Sequence, residues 1–435
     1  TLGGALASND SGNTAGGGDI FINVGDVAFN GGADSITADL ANGAVPVSNA
    51  DNVAILTIQP NTVDSDMTVG AGGTGGVQMP DADVDAIAEG FNHIFLGRAD
   101  GTGTIGLNNG VTFTDPLFVR SPAAGGDIVI GGGNGSGVIG NDNATLAFDA
   151  PDITLGTQID TEGNAVYFVS ESSGNIADPG AGLGGATLAD VEISDASDVD
   201  TTNGGNPAGA DVVFEDQIEG DGGLDDLTIN AGDAGNVLVG VDDAGPFADL
   251  AGPGTIGQTL RIGALTITNA DNFIVAGDAR VTSFSQAVTQ TLTHFRGGLD
   301  ATGPVTITNA DEMLFDGTVV AASFDQLNGL GNTTFNGADA FGLDQFDANY
   351  SNAVPTSLRT GGFANTDGGD IDINIAGDLL VENAIISTGG EATVLNTPGN
   401  DGGAVNLSAD TLDIALIHAG GSAANLSGNG GDGGA

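Results

Sequence analysis

Aspartate is the residue of this chain most able to do chemistry. Fifty-eight acidic side chains stand against six basic ones, for a formal charge of −52. Many of the acids sit within a few residues of one another: Asp64 and Asp66; Asp81, Asp83 and Asp85; Asp195, Asp198 and Asp200; Asp225 and Asp226; Asp242 and Asp243. Carboxylates at such spacing, on loops that also offer backbone carbonyls, are the ligand set of hard cations, above all Ca²⁺. The sequence therefore offers Asp195, Asp198, Asp200, Asp225, Asp226, Asp242 and Asp243 as calcium ligands. The same pattern also suits solvated turns, because Asp bonds readily to its own backbone, and both readings stay open. Asp81 and Asp83 fit better as acids in the first turn of a helix.

Catalytic constellations are harder to assemble. Glycoside hydrolysis needs two carboxylates about 5–10 Å apart, which so many acids could supply, but Tyr167, Tyr350 and no tryptophan are poor material for a sugar-stacking cleft. Polysaccharide lyases need cationic groups, and the six basic residues are scattered arginines. His93, His294 and His418 are isolated from one another, and Gly135-Ser136-Gly137 lies in a glycine run rather than a nucleophile elbow. A phosphate loop requires a lysine the chain lacks. The reading is of a protein that is not an enzyme. Its charge argues equally against nucleic acid, which demands a basic footprint, and no apolar run approaches the roughly 20 residues of a spanning helix.

The elements that would carry these acids are short strands. Alternating apolar runs recur at Ile20–Val24, Val53–Ile58, Asp127–Ile130, Leu227–Ile229, Val237–Val239, Leu265–Ile267 and Val305–Ile307, separated by Gly, Asn and Asp. Over Pro80–Gly90 the pattern changes, and acids followed by Ala86, Ile87 and a stop at Gly90 predict a short helix over 81–90. Two stretches repeat in one register. Thr266-Ile267-Thr268-Asn269-Ala270-Asp271 returns as Thr306 to Asp311, Ser283-Phe284 and Gln286 return as Ser323-Phe324 and Gln326, and Thr293 and Phe295 return as Thr333 and Phe335. Fixed-period similarity of strand-like segments is the mark of a solenoid. Two turns of about 20 residues per repeat would place equivalent side chains in ladders. A second pattern, Gly17-Gly18-Asp19-Ile20 onward, returns at Gly368-Gly369-Asp370-Ile371 and again from Gly402. It predicts an uncapped last rung. The segments are read as 1–79, 80–212 with the helix, 213–360 with the repeats, and 361–435 rich in Gly and Asp.

Phe91-Asn92-His93-Ile94-Phe95-Leu96-Gly97-Arg98-Ala99-Asp100-Gly101, followed by Val111-Thr112-Phe113-Thr114-Asp115-Pro116, resembles a module of very large bacterial β-strand-repeat surface proteins. These are similar in style to filamentous-haemagglutinin-type exoproteins. The Gly-Gly-Asp-Ile unit near residue 370 and the Thr-Ile-Thr-Asn-Ala-Asp units resemble their repeats, so the likeness covers most of the chain. It implies a right-handed parallel β-helix, export to the bacterial cell surface, and an adhesive or scaffolding task. The expectation is thus an extracellular structural protein forming a filament, sheath or adhesive fibre, self-associating and bridged by calcium. A calcium-dependent adhesin that binds a glycan or partner cell, or a β-helix carbohydrate-active enzyme, are the alternatives.

Overall fold

The computed structural model describes residues 6–7, 19–37, 54–72, 76–108, 110–131, 137–169, 189–202, 205–241, 254–337, 355–361, 367–389 and 400–421. Within them the protein is a parallel β-solenoid. The chain divides into two compact units, one built from residues 1–218, 230–235 and 241–252, the other from 219–229, 236–240 and 253–435. No helix among the described residues is long and apolar enough to cross a membrane.

In the first unit a rung has three short strands. His93–Gly97, Thr104–Leu107 and Val111–Phe113 make one. Leu117–Arg120, Asp127–Ile130 and Val138–Gly140 stack on them in parallel and in register. Leu146–Asp149, Asp152–Leu155 and Gln158–Thr161 follow. The three faces differ in burial. Strands such as Asp127–Ile130 alternate, with Ile128 and Ile130 inside. On the first face, Ile94-Phe95-Leu96, Leu117-Phe118-Val119 and Leu146-Ala147-Phe148 are each buried through all three positions. That face is buried on both sides, as the unbroken apolar runs of its strands favour.

The second unit carries the repeats. Ile262–Val275 pairs with Ala279–Phe295, which pairs with Pro304–Phe315, which pairs in turn with Ser323–Gln326 and Thr333–Phe335. Side-chain bonds between equivalent positions of neighbouring rungs, Thr291 to Asp271 and Asn336 to Asp316, span 20 residues. A forty-residue repeat is therefore two rungs. The reason is inside the solenoid: Ile267 stacks on Gln286, Gln286 on Ile307 and Ile307 on Gln326, while Phe273, Thr293, Met313 and Thr333 form a second column. Apolar and polar rungs alternate, so the sequence regains its phase only after two. Phe295, Phe315 and Phe335 form an unbroken stack beside them, with centroids 5.5 Å and 4.9 Å apart and planes within 7°. Asn269 and Asn309 lie on either side of Val288, two rungs apart as the repeat predicts.

The predicted helix over 81–90 is a single turn, Asp81–Val84. Beyond it the backbone is drawn into pairing with an earlier segment. Asp34 N–H donates to the Asp85 carbonyl at 3.0 Å, Ile36 N–H to Ala86 at 2.7 Å, and Ala88 N–H to Ile36 at 2.8 Å. Gly90, at φ 119°, turns the chain so that its N–H reaches Asp115. Asp83 does more than complement a helix terminus: it is buried, and its Oδ1 accepts the N–H of Phe29 at 2.7 Å.

Candidate functional site

The acids gather into a system of clamps between rungs. Asp19 accepts the N–H of Ile55, Asp66 that of Thr104, Asp226 that of Ala264 and Asp278 that of Gly298. Asp367 accepts from Asp401 N–H and Asp370 from Ala404 N–H. Glu219 takes the N–H groups of both Thr259 and Leu260. Each carboxylate makes a charge-assisted bond to a backbone amide of the following rung. The donor lies 20 to 41 residues away in sequence, so spacing along the chain does not reveal it.

The residues read as calcium ligands are distributed as follows. Asp195 accepts the N–H of Ala196 beside it, an ordinary turn bond. Asp226 is one of the inter-rung clamps. Asp225, adjacent to it, follows in sequence the turn in which Gly223 N–H donates to Asp221 Oδ1. Asp242 and Asp243 lie outside the described residues. Asp198 and Asp200 do come together with a residue the sequence did not single out: Asp160 lies in register with Asp200, and Gln158 with Asp198, on adjacent rungs. Asp200 also accepts from the Thr202 backbone and hydroxyl, at 2.7 and 2.6 Å. Burial lifts the Asp198 carboxyl to about 6, with Asp200 and then Asp160 adding to the rise. Burial raises Asp160 too, against the bond donated by Gln158. Among the described residues, no group of three or more His, Cys, Asp or Glu side chains is placed to hold a metal ion.

Two buried sites were not legible in the motifs. Asp115 is fully buried, and its oxygens accept the N–H groups of Gly90 and Phe91 at 2.9 and 2.8 Å. Burial pushes its carboxyl up to about 7; the two N–H bonds oppose this, while Glu89 and Asp142 reinforce it. On the doubly covered face, the Arg120 guanidinium lies 4.5 Å over the Phe95 ring, and Phe95, Phe118 and His93 pack against one another. Burial lowers both the Arg120 and His93 pKa values. This is a structural cation–π stack: Phe95 and Phe118 are 6 % and 5 % exposed, too little for a sugar to stack on.

The other chemical candidates are likewise used within the fold. His294 bonds Asp316 at 2.7 Å, and Arg98 makes a forked pair with Asp100. Arg261 and Arg280 share Asp300. Tyr167 is 9 % exposed. Tyr350 and Ser136 fall outside the described residues. Comparison with protein families, curated proteins and solved structures found no match for this chain.

Proposed function

We propose that this protein is a non-enzymatic structural component of the bacterial cell surface, a segment of an extracellular filament, sheath or adhesive fibre. The observation that carries the reading is the continuity of the inter-rung connections. In the second unit, parallel pairing, with a register shift inside each of its longest ladders, runs from Ile262–Val275 through successive rungs to Thr411–Gly420, with carboxylate clamps added between rungs. Such a body resists extension because many amides must be released together. The abundant carboxylates suit an exterior screened by mobile cations, calcium among them, which would bridge neighbouring molecules rather than fill one closed site.

Electron microscopy of the native material, with and without a calcium chelator, tests this. Regular fibres that loosen on chelation support both the assembly and the bridging role of calcium. Separate particles under every condition overturn the filament and leave a monomeric adhesin, with glycan binding as the next assay.

A further inference from the structure

Gln326 and Thr333 meet in the interior of one rung, and each is 1 % exposed. The Thr333 hydroxyl oxygen lies 2.9 Å from Gln326 Nε2 and 3.1 Å from Gln326 Oε1. The amide carbon is bonded to both of those atoms, so it stands within about 3.5 Å of the hydroxyl oxygen, the separation of a near-attack pair. Among the described residues neither side chain has another hydrogen-bond partner. In the neighbouring rungs Ile307 and Ile373 flank Gln326, while Met313 and Leu379 flank Thr333, and all four are buried. Water is thereby kept from the pair.

The earlier crossbar is an internal comparison. There Thr289 stands between the partners: its hydroxyl takes the bond from Gln286 Nε2 at 2.7 Å and lies 2.8 Å from the Thr293 hydroxyl. Thr293 bonds only the oxygen of that amide, at 2.9 Å. Forty residues on, Gly329 takes the place of Thr289. A Cβ there would come 3.1 Å from Gln326 Nε2. The glycine keeps the amide nitrogen uncrowded and leaves the amide to a single hydroxyl.

We propose that Thr333 and Gln326 form an internal ester, which closes the turn between them into a covalent ring. Oγ1 of Thr333 bonds to Cδ of Gln326, the Cδ–Nε2 bond breaks, and the hydroxyl proton goes to Nε2, which leaves as ammonia. No oxidant, reductant or second substrate enters. The last side-chain torsion of Gln326 is a soft one, and rotation about it turns the face of the amide towards Oγ1. A neutral hydroxyl is a weak nucleophile. This step, however, occurs once per molecule, and fixed proximity supplies effective molarities of roughly 10⁵–10⁸ M. The product also suits its surroundings: amide and hydroxyl bring three donor hydrogens into an apolar layer, and an ester brings none. The inference goes beyond the structural role proposed above and holds whether or not the chain assembles into fibres.

The test is mass spectrometry of the full chain, folded and held at neutral pH, then unfolded and digested at aspartate. The expected fragment beginning at Asp325 is lighter by one ammonia and resists sequencing between Gln326 and Thr333. Mild alkali opens it and leaves glutamate at position 326. Thr333→Val abolishes the loss, while Thr293→Val leaves it in place, with circular dichroism checking that both variants fold. A wild-type fragment of unchanged mass overturns the ester. Cyclisation at Asn328-Gly329 or Asn336-Gly337 also releases ammonia, so a loss that survives Thr333→Val overturns it as well. The wild type alone separates the two: alkali that yields aspartate at 328 or 336, with glutamine intact at 326, refutes the proposal.

Discussion

Gln286 and Thr293, seven residues apart, close a buried crossbar inside one rung: the threonine hydroxyl donates to the glutamine carbonyl at 2.9 Å, and Thr289 joins both. Gln326 and Thr333 repeat the arrangement two rungs on. Each polar rung satisfies itself and lies between apolar neighbours.

Replacing only one partner leaves the others buried and unpaired. Gln286→Leu should cost about 1–3 kcal/mol. The triple change Gln286→Ile, Thr289→Val, Thr293→Met copies the apolar chemistry of the adjacent rungs and should cost less than the single one. Denaturant midpoints of the two variants decide the matter; a triple variant weaker than the single would refute the crossbar account.

The carboxylate clamps predict a local effect. Asp226→Ala or Asp370→Ala should each lower stability by about 1 kcal/mol and speed hydrogen exchange at Ala264 or Ala404. Asn, which keeps an acceptor, should recover most of the loss. Unchanged exchange at those amides would show that the bonds carry no weight.

Acidity should strengthen this fold over part of the range. Burial raises the Asp198 and Asp115 carboxyls to about 6 and about 7, above their ordinary value of 3.8. The folded state therefore holds more protons than the unfolded one between roughly pH 4 and 7. Their contribution is fully present below the unfolded value and is lost as pH rises through 6 and then 7. The melting temperature should rise as pH falls from 8 to 5. Asp198→Asn should stabilise the protein at pH 8, by on the order of 1 kcal/mol after solvent screening, and do little at pH 5. A variant equally stable relative to wild type at both pH values would contradict this.

Phe315 stands at the centre of the aromatic stack, fully buried between Phe295 and Phe335. Phe315→Ala should cost about 3–5 kcal/mol. Because neighbouring rungs stabilise one another in series, the loss should appear as a broadened unfolding transition, with early exchange in Pro304–Phe315. Early exchange spread evenly over the chain would count against a solenoid with local cooperativity.

The rungs were readable because strand and turn residues recur in fixed phase, and the forty-residue register already implied Phe295 and Phe335 on one face, two rungs apart; Phe315 between them was not read from it. Even the doubly buried face has a trace in the sequence, since Ile94-Phe95-Leu96 breaks the alternation seen in Ile153-Thr154-Leu155. What was not legible has a common cause. Over 81–90 local propensity favoured a helix, but Ile36 took the carbonyl and amide that a second turn would have used. From their close neighbours the acid clusters suit ion ligands and turns alike, and nothing local shows that Asp226 also accepts the amide of Ala264, 38 residues on. Pairing across that distance is a property of the stacked rungs, and no local spacing encodes it.

The clamps also share a direction. In Asp19 to Ile55, Asp66 to Thr104, Asp226 to Ala264, Asp278 to Gly298 and Asp370 to Ala404, the carboxylate belongs to the earlier rung and the amide to the later. A polypeptide that emerges amino end first thus meets, at each of these steps, an acceptor already set in place by what came before. Growth in that sense is templated, while growth from the other end would bring every amide forward before its carboxylate existed. At these five steps assembly has a direction; the buried Asp83 and Asp115, which accept the amides of earlier residues, run the other way.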